Sequence, residues 1–139
     1  MISRKYPSTR LRRLRQSESI IDLTSECAVT ANDLIQPVFV KEGLSGKEPI
    51  ESMPGIFRFG EDSVLKEIEE ISQLGIRAIA IFPVIDPSKK DSKGTEATKR
   101  DNFISRVLIS IKSEFPDMLV IADVALDPYT DHGHDGILE

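Results

Sequence analysis

Between Ile121 and Gly136 the chain gathers four aspartates (Asp123, Asp127, Asp131 and Asp135), Tyr129 and both of its histidines, His132 and His134. Carboxylates and imidazoles at this density can hold a cation or carry protons. Asp123 also interrupts an apolar run that reads as a strand, and an ionisable group buried there costs several kcal/mol unless it is paired. Gly133 and Gly136 allow a tight loop. Aspartate before proline and histidine before glycine are ordinary turn formers, and carboxylates often cap helices, so any one aspartate has a structural reading. The cluster as a whole favours chemistry, with Asp123 a candidate for active-site support. A second candidate is Lys41, at the end of an earlier apolar run. It could form a Schiff base if burial depressed its pKa, but nothing around it predicts desolvation, and beside Glu42 it reads as a solvated lysine.

Such groups need elements to hold them. Leu34 to Val40 is a short run rich in β-branched residues and reads as a buried strand, provided Pro37 sits where no ladder donor is required. Leu44 to Gly60, with Gly46, Pro49, Pro54 and Gly55, reads as loop with room for a small hairpin. Asp62 to Leu74 has a helical stripe of Val64, Leu65, Ile68, Ile71 and Leu74, with Asp62 as N-cap and Gly75 at the stop. Ile76 to Phe82 is apolar on both faces, as for a parallel strand covered on each side, and Phe82, Pro83 and Val84 shape a rim where it ends. A polar loop from Ile85 to Lys99 precedes a second stripe (Phe103, Ile104, Val107, Leu108, Ile111, Phe115) stopped by Pro116. Met118 to Leu126 reads as the third strand. Strand, helix, strand, helix, strand implies right-handed parallel crossovers. No glycine-rich phosphate fingerprint follows the first strand, which weakens a dinucleotide-binding reading. The expectation is an α/β fold: an incomplete TIM (β/α)8 barrel of about three βα units over residues 34–139, preceded by an extended amino-terminal arm over residues 1–33 with one short helix near Ser17 to Thr24. A closed barrel takes ~250 residues, so its active site could not be complete here.

The composition is that of a globular protein, with a net charge of −5 over 139 residues. No apolar run approaches the ~20 residues of a membrane span. The lone cysteine, Cys27, excludes an intrachain disulfide. Arg4, Lys5, Arg10, Arg12, Arg13 and Arg15 are six basic residues before Gln16 with no acidic one among them. The acidic body offers no surface for nucleic acid, so this segment reads as an arm that packs on another subunit, with organellar transit as the alternative to a cytoplasmic protein.

The stretch from Asp123 through Ala125, Asp127, Tyr129, His132, His134 and Asp135 to Gly136 resembles the metal-loop signature of the delta-aminolevulinic acid dehydratase (porphobilinogen synthase) family. Arg12 to Arg15, Leu34 to Gly43, Pro49 to Gly55, Gly75 to Pro87 and Phe115 to Gly136 match that family in order and spacing, over about the first two-fifths of a member. The resemblance implies a barrel hydro-lyase that condenses two delta-aminolevulinic acid molecules into porphobilinogen on the way to haem and chlorophyll. It implies two Schiff-base lysines on later strands, without counterparts here, and places Lys41 at a non-catalytic position. It also implies an arm-exchanging homo-octamer. The family's zinc type has cysteines where this chain has Ala125, Asp127 and Asp135. Carboxylates in place of thiolates make a soft zinc site unexpected, even with His132 and His134 nearby. Asp127 and Asp135 are the expected metal ligands, for magnesium or a monovalent cation. The alternative reading is a non-catalytic fragment whose arm docks on a complete subunit.

Overall fold

The computed structural model describes residues 5–136. Its contacts divide into two units, Met1–Thr30 and Ala31–Glu139; the sequence reading drew the boundary after Asp33. In the first unit a single 3₁₀ turn, Arg13–Arg15, precedes helix α1, Glu18–Thr24. The Ser17 side chain caps α1 by accepting the Ile20 amide, which is why this stretch is helical despite its weak periodicity. No residue of α1 is buried.

The second unit is a five-stranded mixed sheet with two helices. The strands are β1 (Gln36–Lys41), β2 (Lys47–Pro49), β3 (Phe57–Phe59), β4 (Ala78–Val84) and β5 (Leu119–Ala122), in spatial order β2-β3-β1-β4-β5. β3, β1, β4 and β5 run parallel, and only β2 is antiparallel, to β3. The small hairpin left open between Leu44 and Gly60 is therefore β2 and β3, and it extends the sheet beyond β1. Helices α2 (Val64–Gln73) and α3 (Phe103–Glu114) supply the two crossovers. No helix among the described residues is long and apolar enough to cross a membrane.

Both helices cover the same face of the sheet. Val64, Ile68 and Ile71 of α2 and Phe103, Val107 and Ile111 of α3 share one core with Val38 and Val40 of β1 and Ile79 and Ile81 of β4. Apolar residues at helical spacing on each helix meet every second residue on each strand. Burying each such side chain contributes about 1.5–3 kcal/mol, and this core is what fixes the strand register. The alternate residues point the other way. There the Phe39 and Phe82 rings meet at 5.6 Å, and Leu119 and Ile121 are 60% and 39% exposed. The expectation that the β4 run is covered on both sides is thus met on one side only by the described residues.

Local signals were read well at one helix end and wrongly at the other. α2 stops in a Schellman arrangement, with Ile76 N donating to Ile71 O (3.3 Å) and Gly75 N to Ser72 O (2.9 Å); Gly75 takes the positive φ of 83° that this stop requires. Leu74, counted in the apolar stripe, lies past the last turn and is 73% exposed. Asp62 is not the N-cap. Its carboxylate accepts the Gly46 amide and the Ser45 hydroxyl instead, and the Gly46 amide above all holds its pKa below the usual carboxylate range.

Strand ends needed the largest corrections. β1 begins at Gln36, not Leu34, and β4 runs on through Pro83 to Val84. Pro37 sits in β1 where β3, paired only at Phe39 and Val40, does not reach. β5 stops at Ala122, four residues before the expected Leu126. The reason lies on its neighbour. Leu119 N donates to Arg77 O and Glu42 N to Val84 O, so alternate residues of β4 turn their backbone to β5 and to β1, and Pro83 falls on the β5 side. Ala122 pairs with Ile81; the next donor that a longer β5 would need is Pro83, which has none. Asp123 therefore follows the strand and is exposed, and the desolvation cost expected of it does not arise. Val124, within the stretch read as the third strand, is 93% exposed.

Candidate active-site loop

The parallel strands bring their carboxyl ends, and the loops after them, to one end of the sheet. After β5 the chain enters a 3₁₀ turn, Asp127–Tyr129, with Pro128 inside it. The amides at the start of such a turn have no partner within it. Asp135 supplies one: its Oδ1 accepts Leu126 N at 2.7 Å and Asp127 N at 3.1 Å. The Thr130 hydroxyl, in a residue only 1% exposed, lies 3.0 Å from His134 O. The loop from Leu126 to Asp135 is closed on itself by these contacts. Burial, with Glu96 and Glu42 nearby, pushes the Tyr129 hydroxyl pKa up.

The expected site residues occupy distinct positions in this loop. Asp123 and Asp127 line a cleft of about 380 Å³ together with Phe39, Arg58, Phe82 and Pro128. Both carboxylates are free of hydrogen bonds and ion pairs among the described residues. Asp135 has one oxygen committed to the loop and the other unengaged among the described residues. The histidine rings stack at 6.1 Å. His132 uses both nitrogens: Nδ1 faces the His134 amide and Nε2 the Ser92 carbonyl, each at 3.3 Å. Among the described residues, no three His, Cys, Asp or Glu side chains are grouped to hold a metal ion. The donors that remain open at Asp127 and Asp135 are carboxylate oxygens, and they fit a hard cation that keeps most of its waters. A larger depression of about 620 Å³, bounded by Ser72, Arg77, Glu114 and Met118, lies at the opposite end of the sheet.

Lys41 is an ion-paired cation. Its Nζ lies 2.9 and 3.0 Å from the two oxygens of Glu48, and Arg58 adds a third contact at 3.3 Å. Those cations, Lys41 first, hold the Glu48 pKa down. A Schiff base needs a free amine, and the Lys41 Nζ is engaged by Glu48.

Sequence reasoning missed how the loop after β4 is built. It reads as simply polar, yet Glu42, with a side chain only 9% exposed, ties it to the end of β1 through Lys89 at 2.5 Å and also meets Arg106 of α3 at 3.8 Å. Asp86 caps the 3₁₀ turn Pro87–Lys89 by accepting Ser88 N. Glu96 is buried against Lys99, and Asn102 caps α3 while donating to the carbonyls of Glu96 and Ala97. Asp91 is the other missed residue. The available signal was an aspartate three positions before a glycine, a turn pattern with a mechanism.

Comparison with known proteins decides the family. The family model described as delta-aminolevulinic acid dehydratase matches residues 8–139. The chain belongs to the delta-aminolevulinic acid dehydratase family. It is 45% identical over 130 residues to the delta-aminolevulinic acid dehydratase of Chlamydia pneumoniae, covering 94% of this chain and 39% of that protein. It is 44% identical to that of Helicobacter pylori strain J99, over 94% of this chain and 40% of the relative. Among solved structures it is similar to the delta-aminolevulinic acid dehydratase (porphobilinogen synthase) of Toxoplasma gondii ME49 in complex with the reaction product porphobilinogen, with a TM-score of 0.85 and 38% identity, covering 94% of this chain and 37% of that one. The chain thus spans about two-fifths of the length of the dehydratases it matches.

Proposed function

We propose that this chain supplies the first strands and one active-site loop of a porphobilinogen synthase, an enzyme that condenses two delta-aminolevulinic acid molecules into porphobilinogen. The observation that carries this is the fold-level match to a dehydratase that holds porphobilinogen, with the aspartate-rich loop at the carboxyl end of the parallel strands, where such enzymes place their chemistry. In this reading the sheet is the first part of a (β/α)8 barrel. The helices lie outside, and the face bearing Phe39, Phe82, Leu119 and Ile121 turns inward.

Each group then has a role. Phe39, Phe82 and Pro128 form an apolar wall that excludes water from the cleft. Asp123 and Asp127, unengaged among the described residues, meet the substrate ammonium group and accept protons from it. Asp127 and Asp135 would hold magnesium or a monovalent cation, which supplies fixed positive charge beside the substrate. The Schiff-base lysines come from outside these residues, and Lys41 remains paired with Glu48. The first unit, with Tyr6, Leu11 and Leu14 exposed between basic residues and Leu23 exposed on α1, serves as an arm on a neighbouring subunit in a homo-octamer.

Borohydride trapping tests the assignment. A full-length protein carrying this segment, incubated with delta-aminolevulinic acid and reduced, should gain substrate mass on lysines outside residues 1–139. An adduct on Lys41, or no adduct at all, would overturn the proposal.

A further inference from the structure

The turn that follows Lys90 does more than link two elements. Asp91 Oδ1 accepts Lys93 N at 2.9 Å and Thr95 N at 3.0 Å, closing the segment around Gly94 at φ +63°. The same turn is joined to the loop after β5 by backbone. Asp91 N donates to Tyr129 O at 3.3 Å, and Asp131 N donates to Asp91 O at 3.2 Å, a parallel bridge between Asp91 and Thr130. Ser92 O faces His132 Nε2 at 3.3 Å. Gly94 closes the seam: a Cβ there would stand 3.3 Å from Leu126 Cδ2 and 3.6 Å from both Thr130 Cγ2 and Tyr129 Cβ. Leu126, Tyr129 to Asp131, and His132 therefore all rest on one turn.

Asp127 sits between the first two of these supports. Its own side chain is held by nothing among the described residues, so its position is that of the backbone, and the backbone is seated on residues 91–95. We infer that the turn from Asp91 to Thr95 is the seat of the loop bearing Asp127 and Asp135, that Asp91 is its positioning residue, and that Gly94 is the small residue that lets the two loops meet. Asp91 touches neither cleft nor substrate; it acts through the backbone it orders. The Thr95 amide and then its hydroxyl, followed by the amides of Lys93 and Gly94, hold its carboxyl at about 2, so the acceptor stays ionised near neutral pH. The inference rests on the reading of that loop as part of the active site.

The test uses a full-length protein carrying this segment, with two readouts: amide hydrogen exchange, which needs no activity, and steady-state kinetics of porphobilinogen formation. Asp91→Ala removes the acceptor, whereas Asp91→Asn keeps an oxygen in place. We expect Asp91→Ala to speed exchange across residues 126–132 while leaving β1 and β4 protected. We also expect kcat to fall about tenfold to a hundredfold with KM little changed, the scale of a small misplacement of reacting groups. Asp91→Asn should restore most of both. Unchanged exchange at 126–132 in Asp91→Ala, or faster exchange spread equally over β1 and β4, would overturn the seat. If exchange behaves as expected but the unaltered protein makes no porphobilinogen, the functional reading fails and the seat stands.

Discussion

Asp135 Oδ1 stands 2.7 Å from the backbone nitrogen of Leu126, so the last aspartate of the loop fastens the loop's own beginning. Because Asp135 is also one of the two proposed cation ligands, it has two separable jobs. In a full-length protein, Asp135→Asn keeps a neutral oxygen for the Leu126 and Asp127 amides and should preserve their slow exchange while losing the response to magnesium. Asp135→Ala should lose both, because the two turn-start amides lose their acceptor. Equal magnesium activation of wild type and Asp135→Asn would remove Asp135 from the cation site.

The Asp91 carboxyl gives the seam a pH dependence of known sign. Its folded pKa, about 2, is below the ~3.9 of an unfolded aspartate. Its contribution is therefore complete above the unfolded value and is lost as pH falls through the folded one. Exchange at residues 126–132, corrected for intrinsic rates, should not loosen on Asp91's account between pH 7 and 5, and should loosen below about pH 4. Loosening that is already complete above pH 5 would show that a group other than Asp91 is in control.

The uncovered face of the sheet predicts how the 139-residue polypeptide behaves by itself. Leu119 and Ile121 stand exposed on β5, which is the outer strand of the described sheet, next to the Phe39 and Phe82 rings. An apolar face beside an open strand edge favours association. Sedimentation should show concentration-dependent oligomers, and the double change Leu119→Lys and Ile121→Lys should reduce them. A monomer with a sharp, concentration-independent thermal transition would show that this face needs no cover, contrary to the barrel reading.

Much of this was legible because it is periodic. Ile68, Ile71, Val107 and Ile111 declare the buried stripes of α2 and α3, and Ile79 and Ile81 declare a strand, since burial and hydrophobicity share one pattern there. The density of aspartates after Ala122 marked the candidate loop for the same reason: chemistry-bearing side chains are visible in a sequence. What stayed hidden depends on partners far along the chain. The end of β5 is set by Pro83 on the adjacent strand. The hairpin of β2 and β3 is too short for alternation to show. Leu74 looks like a stripe residue until the Gly75 stop turns the chain away. Asp91 works through backbone groups of Tyr129 and Asp131, and a hydrogen bond to backbone leaves no mark on the identity of its partner.

The most direct measurement is porphobilinogen formation from delta-aminolevulinic acid by a metal-stripped full-length protein, assayed with a zinc-selective chelator and then with zinc or magnesium restored. Ala125, Asp127 and Asp135 offer no thiolate, and carboxylate oxygens favour hard cations. The account predicts product in the presence of the chelator and a higher rate with magnesium. Activity abolished by the chelator and restored by zinc alone would contradict it, and a protein that forms no porphobilinogen under any of these conditions would contradict the proposed function itself.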